Sequence, residues 1–264
     1  MALYSARYIK SESTTTNSFH LVSDISDDLI SEIYYSTKET MTDQISPAGQ
    51  NMPNITIDEA FGYEFVAGPD IFRMANDLDT ETTFFKAKLT YYMNDHKITG
   101  GFENSVYDTY NVFIVNEDGS YEFDDLAAVQ AGSFSSYSAA GTKTGVVADG
   151  AADFEYELKS MYLMDEYSMS DRLTLTFGIR HDEYSGDDTP TNASFESTYG
   201  FKNGGIKGVD LTTYRFGANL LIDDVSDINV TFGTYSAKLP NVWISNAYTN
   251  TGTLTANYDS TYGN

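Results

Sequence analysis

Residues 171–184 read DRLTLTFGIRHDEY, and this stretch decides the fold. Leu173, Leu175, Phe177 and Ile179 alternate with Thr174, Thr176, Gly178 and Arg180. Successive Cβ atoms of an extended chain point to opposite sides, so the stretch predicts a strand with one apolar face and one small or polar face. The pattern recurs. Phe85, Ala87, Leu89, Tyr91 and Met93 oppose Lys86, Lys88 and Thr90; Tyr214, Phe216, Ala218, Leu220 and Ile222 oppose Arg215, Gly217 and Asn219. Ile228, Val230 and Phe232 oppose Asn229, Thr231 and Gly233. Phe154, Tyr156, Leu158, Tyr162 and Met164 oppose Glu155, Glu157, Lys159 and Asp165.

Two kinds of connection alternate between these strands. Short polar turns of Asn, Asp and Ser fall near residues 27, 95, 170 and 225. Long polar connections fall at 39–79, 116–152 and 185–210. A soluble sandwich has no reason to collect its short turns at one end and its long loops at the other. An outer-membrane barrel does, with short periplasmic turns and long extracellular loops.

The expected fold is therefore all-β: an antiparallel up-and-down meander, a section of a large transmembrane β-barrel, occupying residues 1–264 as one partial domain. About nine strands are expected, near 2–11, 17–26, 29–38, 81–93, 97–110, 153–168, 171–184, 211–223 and 228–238. Residues 55–66 read as an ordered piece of a loop, with a further strand pair as the other reading. Nine is odd, so the two end strands would run the same way and meet only in parallel. The expectation is an open sheet with free edges and loosely ordered loops, and with residues 249–264 as a polar tail.

Composition narrows the function. Asp and Glu number 39 against 15 Lys and Arg, a formal charge of −24, which repels a phosphate backbone and excludes nucleic acid as the main partner. There is no cysteine, and His20, His96 and His181 lie far apart, so thiolate chemistry and a zinc site of the usual spacing are not expected. Tyr (21) and Phe (16) suit strands and, for Tyr, a membrane–water interface, while Trp243 is the single tryptophan. No apolar run reaches the length of about 18 residues that a membrane helix needs. No leader of the usual kind opens the sequence.

Specific residues sharpen the reading. Residues 97–103, KITGGFE, after the turn Asn94-Asp95-His96, resemble the hairpin of the Oar-like TonB-dependent outer-membrane receptors. So do residues 110–114 (YNVFI), residues 119–123 (GSYEF) with Asp125-Leu126, and residues 162–167 (YLMDEY), where Met164 and Tyr167 depart from the family's pattern. Residues 173–182, LTLTFGIRHD, are similar to a motif of TonB-dependent receptors generally, and residues 239–248, LPNVWISNAY, to a segment of the same subgroup. The matches run in order across about 80–250; residues 1–79 match only in strand-and-loop pattern. The resemblance implies nutrient uptake in the cell outer membrane through a plugged barrel of about 22 strands. It implies outer-membrane lipid, an unidentified small-molecule or peptide ligand, and a TonB complex met through an N-terminal region as partners. On that reading the sequence is a fragment: signal peptide, plug, TonB-contacting segment and closing C-terminal aromatic lie outside it. The rival from a different class is a secreted soluble β-sandwich binding carbohydrate on its tyrosines, with strands of only about 5–6 residues.

Several clusters invite chemistry. Asp165-Glu166 and Asp182-Glu183 are adjacent carboxylates, but neighbours on a strand point to opposite faces and do not converge as an acid–base pair. Asn116-Glu117-Asp118-Gly119 has calcium-loop residues without the calcium-loop register, and a tight turn with Gly at positive φ explains it better. Gly186-Asp187-Asp188 and Asp124-Asp125 are acidic loop pieces with loose cation affinity as the alternative to plain solvation. Arg180, Arg215, Lys86 and Lys88 fall on the polar face; they meet either an anionic ligand or plug in a lumen, or carboxylates of their own wall, the second being preferred. No catalytic residue, metal site or cofactor is expected, and the ligand-binding residues are not identifiable at this level.

Overall fold

The computed structural model describes residues 2–49, 51–60, 62–142, 144–190, 193–202, 204–248 and 253–259. In chain order the strands are β1 (Ile9–Ser26), β2 (Leu29–Ile45), β3 (Asn54–Ala60), β4 (Tyr63–Ala67), β5 (Ala75–Met93), β6 (His96–Ile114), β7 (Ser120–Asp125), β8 (Ser136–Thr142), β9 (Ala152–Ser170), β10 (Leu173–Gly186), β11 (Asp210–Asp223), β12 (Ser226–Gly233) and β13 (Thr253–Asp259). Three short helices, α1 (Leu126–Ala131), α2 (Ala193–Tyr199) and α3 (Asn241–Tyr248), lie in the connections.

Eight strands form the main sheet in the order β1-β2-β5-β6-β9-β10-β11-β12. Every neighbouring pair is antiparallel. The tight turns at residues 27–28, 94–95, 171–172 and 224–225 all lie at one end, as parity demands of a meander. Asn94 takes positive φ (53°) in one of them, which its short polar side chain tolerates.

The sheet has one strand fewer than expected. Residues 11–17, Ser and Thr with one Glu and one Asn, read as a break but lie inside β1, in register with residues 37–43 of β2. Thr14 Oγ1 sits 3.3 Å from Thr40 Oγ1 across that pair. Threonine is a good strand former, and a strand with water on both faces needs no alternation. Residues 4–6 form a 3₁₀ turn, not a strand. With eight strands, β1 and β12 run in opposite directions, so the objection to closure based on parity disappears. Among the described residues β1 pairs with β2 alone and β12 with β11 alone. β12 also stops at Gly233, short of the expected 238.

The long connections are 46–74, 115–151 and 187–209; the first and third are shorter than read from sequence because β2, β5 and β10 overrun the expected ends, and the second keeps its length. The first two hold strands of their own among the described residues. β3, β4, β7 and β8 join β13 from the C-terminal region in a second sheet, ordered β13-β8-β7-β3-β4. Residues 55–66 thus hold a strand pair, and it lies outside the main sheet. β3 and β7 pair in parallel, Asn54 opposite Ser120, with Asn54 Nδ2 donating to Pro69 O at 2.9 Å.

The two faces of the main sheet differ. The face covered by residues 234–248 is here the inner one. It carries the even-numbered residues of β9 and β10 and the odd-numbered residues of β6 and β11. Leu173, Leu175, Phe177 and Ile179 are on the outer face, with Phe216 opposite Phe177 at 5.3 Å between ring centres. β9 departs from expectation: Phe154, Tyr156, Leu158, Tyr162 and Met164 line the inner face, and Met161 and Leu163 complete the outer band. The reason is α3. Its Tyr248 stacks on Phe154 at 4.1 Å, and Tyr156 stacks on Tyr107 at 4.7 Å, so inner β9 is a core surface.

The outer apolar band ends at a row of carboxylates. Glu39, Glu81, Asp108 and Glu155 stand side by side across β2, β5, β6 and β9. Below the row, toward the tight turns, lie Ile33, Tyr35, Phe85, Leu89, Phe102 and Leu163. β5, β6 and β9 have 19 residues each, roughly 60 Å at about 3.3 Å per residue. A bilayer core is about 30 Å thick, so the strands overrun it by about half their length.

Candidate functional site: the inner wall

Charges on the inner face are tied across strands. Glu32 of β2 takes both Lys86 and Lys88 of β5. Glu103 of β6 accepts from Arg180 Nη1 of β10 at 2.8 Å, over the intervening β9. Arg180 Nε donates to Asp182 at 2.8 Å. The same Asp182 accepts from Ser160 at 2.6 Å and from Ser236 at 3.1 Å. Tyr162 of β9 lies under the guanidinium, 5.9 Å from ring centre to Cζ, over the bare backbone of Gly101.

Of the four cations expected on the polar face, Lys86, Lys88 and Arg180 meet carboxylates of their own wall. Arg215 does not; its guanidinium faces the Tyr235 ring at 5.1 Å. The adjacent carboxylates diverge. Asp165 meets His96 Nδ1 at 2.9 Å on the outer face, while Glu166 meets Lys97 at 2.8 Å on the inner one. Asp182 points in, Glu183 out. His20 lies 3.6 Å from Glu32, and His181 Nδ1 is 3.0 Å from Thr212 Oγ1.

The acidic loop pieces have structural partners. Residues 116–119 form a tight turn with Gly119 at φ 88° and Asn116 at φ 65°, and Asn116 Nδ2 donates to Ser138 O at 2.7 Å. Burial and the neighbouring Asp118 push the Glu117 carboxyl up from its ordinary range. Asp125 caps α1 through Ala128 N at 2.7 Å, Asp187 accepts from Glu155 N at 2.9 Å, and Asp188 pairs with Lys207 at 2.8 Å.

Residues 234–248 make the roof of a cleft that sequence reasoning missed. Tyr156 donates to Asn241 Oδ1 at 2.7 Å, and Asn241 Nδ2 donates to Thr109 at 3.3 Å, which fixes α3 to the wall. Beneath it a cleft of about 590 Å³ is lined by Leu158, Arg180, Asp182, Leu211, Thr213 and Arg215 from the sheet, and by Lys238, Leu239, Trp243 and Ile244 from the roof. Lys238 as a residue is open to this space, yet its ammonium lies 3.3 Å from the centre of the Tyr107 ring. That partial dehydration lowers its pKa to about 8. In the sequence Arg180 and Arg215 stood out on the polar face and residues 239–248 as a resembling segment with the single tryptophan, but nothing brought them together.

No helix among the described residues is long and apolar enough to cross a membrane. An apolar band on the strands, facing away from a polar, ion-paired wall, is how a sheet crosses one. The model of the outer membrane beta barrel domain family matches residues 7–257.

The chain belongs to that family. It is an outer-membrane β-barrel section. In fold it is similar to the ferric-catecholate import receptor Fiu of Escherichia coli K12 in the closed form: 13% identity, TM-score 0.51, covering 85% of this chain and 33% of that one. The open form of the same receptor gives 12% identity and TM-score 0.49, covering 85% and 35%. The barrel section thus spans about a third of that receptor's length. A search of curated sequences returns no match.

Proposed function

We propose that this barrel section is part of the wall of a TonB-dependent receptor that takes up a nutrient across the outer membrane. The observation that carries the reading is the inner face: Glu32 with Lys86 and Lys88 across β2 and β5, and Arg180 with Glu103 and Asp182 across β6 and β10, beside an open cleft. Such a wall suits a water-filled or plugged lumen. A sandwich would bury its apolar face, whereas Leu163, Phe177, Ile179 and Phe216 of the outer band are exposed, and the 14–19 residues of β5, β6, β9, β10 and β11 exceed what a sandwich strand needs. The fold likeness to an import receptor and the sequence resemblance to TonB-dependent receptors support the same reading.

In this reading the tight turns face the periplasm, and the second sheet stands outside the cell. Plug and TonB-contacting segment belong to the whole protein. The test is genetic. Deleting the parent gene, and separately deleting the cell's TonB, should abolish growth on the same limiting nutrient. Growth that needs the parent gene but not TonB would overturn energised uptake.

A further inference from the structure

We infer that the cleft beneath residues 234–248 binds a small amphipathic organic anion, an aromatic carboxylate in the simplest case. Its charged side is set by what is already engaged. Asp182 accepts from three donors, and Arg180 is shared between Glu103 and Asp182. One guanidinium thus serves two carboxylates, and the three groups together carry −1. Arg215 and Lys238 line the same cleft, and among the described residues neither has a carboxylate partner; each faces tyrosine rings. Arg180, Arg215 and Lys238 against Asp182 and Glu103 leave one net positive charge at the cleft, which in a chain of net charge −24 runs against the field of the whole molecule.

Most of the remaining lining is apolar, Leu158, Ile206, Leu211, Leu239 and Ile244 among it, with Thr213 and Ser236 as hydroxyls. Trp243 also lines it and remains 67% exposed. A tryptophan serving as a membrane-interface anchor would stand on the outer face. This one is on the inner side, with an indole face open for stacking. A pocket of this size, largely apolar with a few convergent charges, fits a small molecule. The partly dehydrated ammonium of Lys238 regains a charge partner when an anion enters.

The inference rests on the receptor reading for its biological sense, but its test does not. The chain has no cysteine, so Ala237→Cys places a single thiol on the cleft lining. The protein is tested in the outer membranes of expressing cells, with 4-nitrobenzoate as probe and neutral 4-nitrobenzamide as control. The carboxylate should slow modification of the thiol by a neutral maleimide at least fivefold, and the amide should not. Arg215→Gln and Lys238→Gln should each remove the protection. In purified full chain, 4-nitrobenzoate should quench Trp243 saturably. Equal protection by both probes, or none by either, would overturn the proposal. Protection without any nutrient uptake would leave the site standing and sink the receptor reading instead.

Discussion

Arg180 on β10 reaches Glu103 on β6 at 2.8 Å, although β9 lies between them. The contact ties three strands with one ion pair, and both side chains are mostly shielded, 31% and 23% exposed. A charge-assisted bond of this kind contributes about 1.5–3 kcal/mol. Arg180→Gln should therefore cost about 1–3 kcal/mol and Glu103→Gln about the same. The double substitution should cost clearly less than the sum, because the second change removes a charge the first left unpaired. Urea unfolding in detergent micelles of the four variants measures the coupling; strict additivity would show the pair to be idle.

The outer face is predicted to lie in lipid. Leu175→Arg should cost about 2–4 kcal/mol near the bilayer midplane, and Thr176→Arg on the inner face much less. Spin labels at the two positions check this directly. The label at 175 should be relaxed by oxygen and the one at 176 by a water-soluble nickel chelate. The reverse pattern would invert the assignment.

Topology follows from the same assignment. Single cysteines at Asp95, in a tight turn, and Asp187, beyond the end of β10, should differ on intact cells. Position 187 should take an impermeant maleimide and position 95 should not. Labelling at 95 alone would turn the sheet over.

Gly186 ends β10 at φ 147°, where a Cβ would stand 2.6 Å from Glu155 O and 2.7 Å from Tyr156 Cα. Both are backbone atoms beside the Phe154–Tyr156 core and cannot swing away. Gly186→Ala should destabilise the protein by about 1–3 kcal/mol. Thermal unfolding is the measurement, with Gly204→Ala, where nothing lies within 4 Å, as the neutral comparison.

Lys238 gives a pH signature. Its folded pKa, about 8, lies below its ordinary 10.5. Between those values the unfolded chain binds more protons than the folded one, so stability rises with pH across that window. The penalty for the charged ammonium is full below pH 8 and gone above about 10.5. The stability difference between wild type and Lys238→Met should narrow from pH 7 to pH 10. A difference constant across that range would show the ammonium to be fully hydrated.

How much of this was legible before the structure depends on which physics wrote each segment. β10 and β11 alternate strictly because one face meets lipid and the other the interior, so their sequence states their geometry. In β1, Ser and Thr between 11 and 17 look like a break because water on both faces erases alternation. In β9, apolar residues face inward because α3 covers them, and α3 is far away in sequence. The second sheet is built from short strands whose partners are distant, such as β3 with β7, and no local pattern announces such pairing. At the site, Lys86, Lys88 and Arg180 were readable as inward-facing by parity. Their partners Glu32 and Glu103 were not, because cross-strand register decides them, and the cleft needed a segment that leaves β12 and folds back over the wall.

In the upper half of β1 every residue from Ile9 to Thr16 is exposed, so no buried side chain of its own selects one alignment over the next. Yet β1 and β2 stay in step from Ile9 opposite Ile45 down to Asp24 opposite Ile30. Their alignment is set near the turn, where Phe19 faces Tyr35 and Leu21 faces Ile33, and is handed upward like the teeth of a zip. The upper part of β1 inherits an order that its own side chains do not encode. Those side chains are free to diverge from one lineage to another, changing what the outside world meets, without unpicking the sheet beneath.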